Sequence, residues 1–166
     1  MRMLILGIGN ILASDDGLGV YGTKYLEKNY SFSPPLDIYD GNVEGIGLLN
    51  ILAEYDEVVV LDAIEAESGE IYSIPAKDLQ ANSVKSAHEI GIIETLELLE
   101  LSSEHMPNVV VFAIGIESLG ESNSLSISVQ DAFDKYILAI LEYIASLGVV
   151  YERINDMSLT DIIESF

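Results

Sequence analysis

The chain has no cysteine among its 166 residues. That excludes disulfides, thiolate metal sites and a cysteine nucleophile, and it fits a reducing compartment such as the cytoplasm. Basic residues are scarce: 7 Lys and Arg stand against 28 Asp and Glu, a formal charge of −21. Nucleic acid and anionic membranes are bound by neutralising phosphate with Lys or Arg, so neither is an expected partner. Most of this charge reads as a solvated surface, with attraction of cations or of a basic partner as a secondary effect. Long apolar runs are missing too, so no membrane span is expected. The stretch from Met1 to Gly9 is too short for a secretory leader, and Asp15–Asp16 follow it too soon. Repeats, linkers and low-complexity segments are absent.

Familiar catalytic signatures are lacking as well. His88–Glu89 opens like HExxH, but Ile92 holds the place of the second histidine. Gly120–Glu121–Ser122–Asn123–Ser124 lacks the last glycine of a G-x-S-x-G elbow. His105, beside Met106–Pro107, reads as a surface loop residue.

What is present is an ordinary globular balance, 49% hydrophobic and 21% charged. The length suits one domain over residues 1–150, followed by a C-terminal tail over 151–166 with weak helical character at Ser158–Ile163. Met3–Gly9 and Val109–Ile116 are continuous apolar runs that predict buried parallel strands. Glu57–Leu61 is β-branched and strand-like, Leu36–Tyr39 is a further strand, and Gly69–Ile74 alternates like an edge strand. Helices are predicted from Asp15 to about Asn29, over Gly45–Glu54, over His88–Leu101 and over Ser128–Leu147. The last carries the stripe Val129, Phe133, Tyr136, Ile137, Ile140, Leu141 and Ile144. Ser128 with Asp131 resembles a capping box, and Gly148 stands where that helix ends. Lys77–Ala87 is polar and irregular, and reads as a loop. Strands alternating with helices predict a three-layer αβα fold, a mostly parallel twisted sheet with helices on both faces. No helix shows a second apolar stripe, so a monomer is expected.

Ligands of an open α/β sheet bind outside the carboxyl ends of its strands. The first strand is followed by Asn10, Asp15 and Asp16, the second by Asp40–Gly41–Asn42 and the third by Asp62. His88 opens a later helix. Each has a plain structural reading on its own. Asp16 suits a helix start, Asp40–Gly41 a turn, and His88 a cap. Asp62 is harder to explain so, because it ends a run of Val and Leu where a charge is costly unless paired or metal-bound. Together they give a mixed nitrogen–oxygen set suited to zinc, nickel, iron or manganese, with an open position left for a ligand. Such a metal polarises a carbonyl or acidifies a water, and Asp40 stands where a base or orienting group would be.

A dinucleotide fold competes with that reading. Gly7–Ile8–Gly9 follows the first strand, and Asp40 ends the second, where a ribose-binding acid would lie. Yet Leu12 replaces the third glycine of G-x-G-x-x-G, and Asp15–Asp16 would oppose a pyrophosphate at the helix start.

Gly7–Ile8–Gly9–Asn10–Ile11–Leu12, followed by Asp15–Asp16–Gly17–Leu18–Gly19, resembles the G-x-G-N-x-L…D-[DE]-x-x-G opening of hydrogenase maturation endopeptidases. Asp40–Gly41 is similar to the start of that family's D-G-G-T loop, and Leu61–Asp62–Ala63–Ile64 to its D-A strand end. Ser86–Ala87–His88–Glu89–Ile90–Gly91 resembles its S-x-H-x-x-G segment, and Glu117–Ser118–Leu119 and Leu125–Ser126 fall near its later loop and final helix start. The likeness spans roughly residues 1 to 148. It implies an enzyme that removes a C-terminal extension from the large-subunit precursor of a nickel–iron hydrogenase once nickel is in place. By position, Asp16, Asp62 and His88 become the metal residues, with Asp16 and Asp40 as the catalytic acids. The metal is then the nickel carried by the precursor, with zinc or cadmium able to occupy the same donors. Asn42 and Val43 replace a glycine and a threonine of the family pattern, and Ile116 and Ile127 stand where prolines are common. The altered loop motivates a second reading, a nickel-sensing chaperone that binds the precursor without cutting it.

Overall fold

The structure is a computed structural model that describes residues 1–40, 46–81, 87–102, 105–117 and 125–166. For residues 46, 80–81, 87–91 and 102 it describes the backbone alone. The strands are β1 (Met3–Gly7), β2 (Tyr30–Ser33), β3 (Asp37–Asp40), β4 (Glu57–Glu65), β5 (Ile71–Pro75), β6 (Asn108–Ile116) and β7 (Val150–Arg153). The helices are α1 (Leu18–Asn29), α2 (Ile46–Glu54), α3 (Ala87–Ser102), α4 (Ile127–Ser146) and α5 (Leu159–Glu164). Five strands form one sheet in the order β3-β1-β4-β6-β5, parallel except for β5, and β2 pairs with β7 in a separate antiparallel ribbon.

Alternation along the strands splits the core in two, as expected for a sheet covered on both faces. Met3, Ile5, Val59, Leu61, Ala63, Val110, Phe112 and Ile114 face the layer of α1, α4 and α5. Leu4, Leu6, Val58, Val60, Ile64, Val109, Val111 and Ala113 face the layer of α2 and α3. The three-layer αβα reading of the sequence is therefore what the chain builds. All seven residues of the α4 stripe are buried.

Several local expectations give way. The helix expected from Asp15 begins as a 3-10 turn at Ser14–Gly17, and α1 proper starts at Leu18. Helix α4 is capped at Ser126, with no side-chain capping bond, rather than by a Ser128–Asp131 box. Ser128 Oγ is engaged elsewhere, 2.9 Å from Ser68 Oγ. A full capping box does form, at Ser158 and Asp161 of α5. The segment expected as a loop from Lys77 carries a 3-10 turn at Ala76–Ala81; residues 82–86 lie outside the described residues.

The C-terminal stretch, expected as a tail, is docked. Strand β7 pairs Val150 with Ser33 and Arg153 with Tyr30. Asn29, fully buried, accepts a hydrogen bond from Met157 N at 2.8 Å and donates one to Met157 O at 3.0 Å. Ile162 is buried in the α1–α4 layer, and the Phe166 ring meets Tyr21 edge-on at 5.3 Å. Strand β2 alternates, Tyr30 and Phe32 against Ser31 and Ser33, but both strands are only four residues long and their partners lie far apart in sequence, so the ribbon is not visible locally.

Gly148 ends α4 as anticipated, with φ +94. Its N–H donates to Ala145 O at 3.0 Å and the N–H of Val149 to Ile144 O at 3.3 Å, the paired bonds of a Schellman turn. A Cβ at Gly148 would meet nothing within 4 Å. The cost of Gly148→Ala is therefore backbone strain alone, and it should lower the unfolding free energy by about 1 kcal/mol in urea denaturation.

Candidate functional site at the carboxyl edge of the sheet

Strand β1 lies between β3 and β4, so the chain leaves it first to one side and then to the other. Such a switch point opens a crevice at the carboxyl edge. In register, Gly7 of β1 stands beside Asp40 of β3 and Leu61 of β4. Asp62 is one residue further along β4, and the turn bearing Asp15 and Asp16 packs against that strand.

Absence of side chains makes this packing possible. A Cβ on Gly19 would lie 2.2 Å from Leu61 O and 2.4 Å from Ile8 O. Gly9 adopts φ +133, and a Cβ there would lie 1.9 Å from Asp16 O. The glycines of the opening motif thus bring helix backbone onto strand ends. In a dinucleotide site they would make room for a pyrophosphate; here carboxylates occupy that position, which removes the basis for the dinucleotide reading.

Asp16 is 8% exposed, and its Oδ2 accepts the Asn10 N–H at 2.9 Å. The acid is thereby fastened to the loop leaving β1. Asp15 is 5% exposed and reaches further: its Oδ1 accepts the Ser126 N–H at 2.7 Å, at the N-cap of α4. A carboxylate there sits at the positive end of a long helix dipole. Asp15 therefore ties the turn carrying Asp16 to the start of α4, the neighbour of α1 in the same helix layer. Sequence reasoning placed Asp15 at the edge without its role, because the partner is 111 positions away.

Asp62 is fully buried, and its Oδ1 accepts the Ala63 N–H at 2.8 Å. By alternation with Val60 and Ile64 its side chain falls on the α2–α3 face. Behind it, on the other face, Tyr136 is also fully buried and donates to Phe112 O at 2.7 Å. Burial first, and the Asp62 charge second, push the Tyr136 hydroxyl well above the ordinary phenol range. The hydroxyl therefore remains a neutral donor beneath the site.

The side chain of His88 lies outside the described residues, but its backbone is in the first turn of α3. Glu97 and Glu100, near the other end of α3, line a cavity shared with Asn108 and Val109 at the start of β6. From Glu100 back to His88 the helix rises about 18 Å. From Asn108 to Ala113 the strand rises about 17 Å, and Ala113 stands beside Asp62. Helix α3 packs on Asp62's side of the sheet through Ile92 and Leu99, and it runs back from that cavity toward the carboxyl edge. Asp40 is exposed at the end of β3, two strands from β4 and so about 10 Å away. The edge accordingly gathers Asp15, Asp16 and Asp62, with Asp40 to one side and α3 on the Asp62 face. Asn42, Val43, Ser118 and Leu119 lie outside the described residues. His105, read as a surface residue, is at the opposite edge, its Nε2 2.9 Å from Tyr55 O.

Fold and edge define a class: a three-layer α/β protein with carboxylates gathered where such sheets take their ligands. Comparison with known proteins narrows it. The family model of hydrogenase maturation proteases matches residues 20–143, which include Asp40, Asp62 and His88. The hydrogenase 2 maturation protease of Escherichia coli is 28% identical over 155 residues, covering 90% of this chain and 94% of that protein. The solved structure of the hydrogenase-maturating endopeptidase HybD from E. coli superposes with a TM-score of 0.82 at 27% identity, covering 92% of this chain and 98% of that one. The NiFe hydrogenase maturation protease HybD from Thermococcus kodakarensis gives 0.65 at 26% identity, over 87% and 99%. The chain belongs to the hydrogenase maturation protease family. It is an enzyme, an endopeptidase of hydrogenase maturation.

Asp15→Ala would strand the Ser126 N–H and remove the carboxylate from the α4 terminus. A loss of about 2 kcal/mol is expected in urea unfolding, with roughly half recovered in Asp15→Asn, which keeps an acceptor. An unchanged midpoint for Asp15→Ala would contradict the bridging role.

Proposed function

We propose that this endopeptidase removes the C-terminal extension of a nickel–iron hydrogenase large-subunit precursor after nickel has been inserted. Asp16, Asp62 and His88 hold the nickel that the precursor carries, and Asp40 acts as base or orients the scissile segment. The metal is part of the substrate, and the protein supplies the docking donors. A compartment without disulfides, the cytoplasm, suits the cysteine-free chain.

The observation that carries the reading is Asp62. It is a fully buried carboxylate beside the switch point of a parallel sheet, at the carboxyl edge where such sheets take their ligands. The turn bearing Asp16 packs against its strand, and the helix bearing His88 lies on its side of the sheet. Two carboxylates and an imidazole suit nickel, zinc or cadmium, and three protein donors leave positions for ligands from the precursor. The chemistry then acts as a checkpoint, because a precursor without metal lacks the group that the donors recognise.

The test is incubation with nickel-loaded and nickel-free precursor, followed by mass. Only the loaded form should shorten. Asp16→Asn and His88→Ala should each slow cleavage by at least about a hundredfold. Normal processing by both variants would overturn the site. Binding of the loaded precursor without any shortened product would favour the metal-sensing chaperone instead.

A further inference from the structure

A peptide bond presented for hydrolysis needs its segment held extended, and an extended backbone is readily held by a free strand edge. The main sheet has two border strands, β3 and β5. Strand β5 contains Pro75, which has no N–H to donate, and it is separated from β1 by β4 and β6. Strand β3 ends in Asp40, and among the described residues no strand pairs with its outer edge. Its four residues extend about 13 Å, enough for three or four residues of a partner.

Beside that edge lies a cavity of about 430 Å³. Tyr30, Phe32, Leu36, Ile38 and Tyr39 give it apolar and aromatic walls. Glu27 and Asp37 line it as well; Lys24 lies 3.8 Å from one and Arg2 3.9 Å from the other, in partly exposed pairs weak enough to exchange for a partner's cation. Tyr39 is 42% exposed, unusual for so large a ring in the wall of a groove. From beneath, the buried Tyr55 hydroxyl donates to Asp37 Oδ2 at 2.6 Å and lies 3.3 Å from Tyr39 Oη. The strand is thereby braced before any partner arrives, which reduces the ordering cost of binding. A second copy of this chain is a poor occupant, because pairing β3 with β3 would bring Asp37 and Asp40 of both copies together in molecules already at −21.

Building on the proposed precursor-processing role, we propose that the outer edge of β3 docks the extended precursor segment that carries the scissile bond. The segment pairs with the backbone of residues 37–40, sets an apolar side chain into the neighbouring cavity, and meets Glu27 and Asp37 with Lys or Arg. Its path along β3 leads to Asp40 and the carboxyl edge.

The probe is a synthetic peptide spanning the C-terminal cleavage junction of a large-subunit precursor, added to the wild-type protein and followed by residue-resolved amide exchange. Slowed exchange among Ile38, Tyr39 and Asp40 is expected on binding. Glu27→Lys and Tyr39→Lys should each raise KM for the nickel-loaded precursor about tenfold, while their melting temperatures stay near wild type. Bound peptide that protects β5, or no strand edge, would overturn the docking strand while leaving the endopeptidase reading intact. Unchanged KM in both variants would do the same, as would β3 protection that depends on protein concentration without peptide, the mark of a second copy. A wild-type protein that neither binds the peptide nor cuts the loaded precursor would overturn both proposals together.

Discussion

At the sheet rim, helix backbone lies directly against strand backbone. Where α1 begins, Gly19 brings its chain against the carbonyls of Ile8 and Leu61, and any side chain at that point would collide with both. The two acids of the preceding turn are at the sheet rim because of this contact, and their bonds to Asn10 and Ser126 depend on it. Hydrophobic packing could hold α1 over the sheet in several positions. Backbone contact at this distance admits only one, and the carboxylates inherit its precision.

The same contact explains how an acidic edge coexists with a buried core. Asp15 and Asp16 are nearly enclosed, yet each accepts a backbone N–H, and one of these belongs to the start of a 20-residue helix. Amide hydrogens and a helix terminus supply partial positive charge without lysine or arginine, of which the chain has few. Asp62 is the sharper case: it is fully buried on the face that carries Val60, Ile64 and Ala113, and its Oδ1 accepts the Ala63 N–H. Backbone N–H groups thus face all three acids from within the fold.

Much of this was legible in the sequence where the signal is local. The runs of β1, β4 and β6, the α4 stripe, Gly148 and the oddness of Asp62 all follow from burial patterns within a few residues. Asp16 and Asp40 were legible through the rule that strand ends carry ligands. What was hidden depends on distant partners. The β2–β7 ribbon joins residue 30 to residue 153, Asp15 finds Ser126, and the terminal segment is fixed by Asn29 within α1. Ser128 had the right spacing for a cap but the helix starts elsewhere, at Ser126, whose N–H donates to the Asp15 carboxylate. No periodicity encodes such pairings.

Leu61 and Asp62 are neighbours in the chain, yet the pleat sends them into different halves of the core. Asp16 comes from the half on Leu61's side, and α3 belongs to the other. The rim therefore works as a seam between two separately packed bodies that share only the sheet as a wall. An ion grasped from both sides would stitch that seam. Slippage between the helix layers would show first along this seam, and the stiffness of the paired strands sets how much of it the rim can absorb.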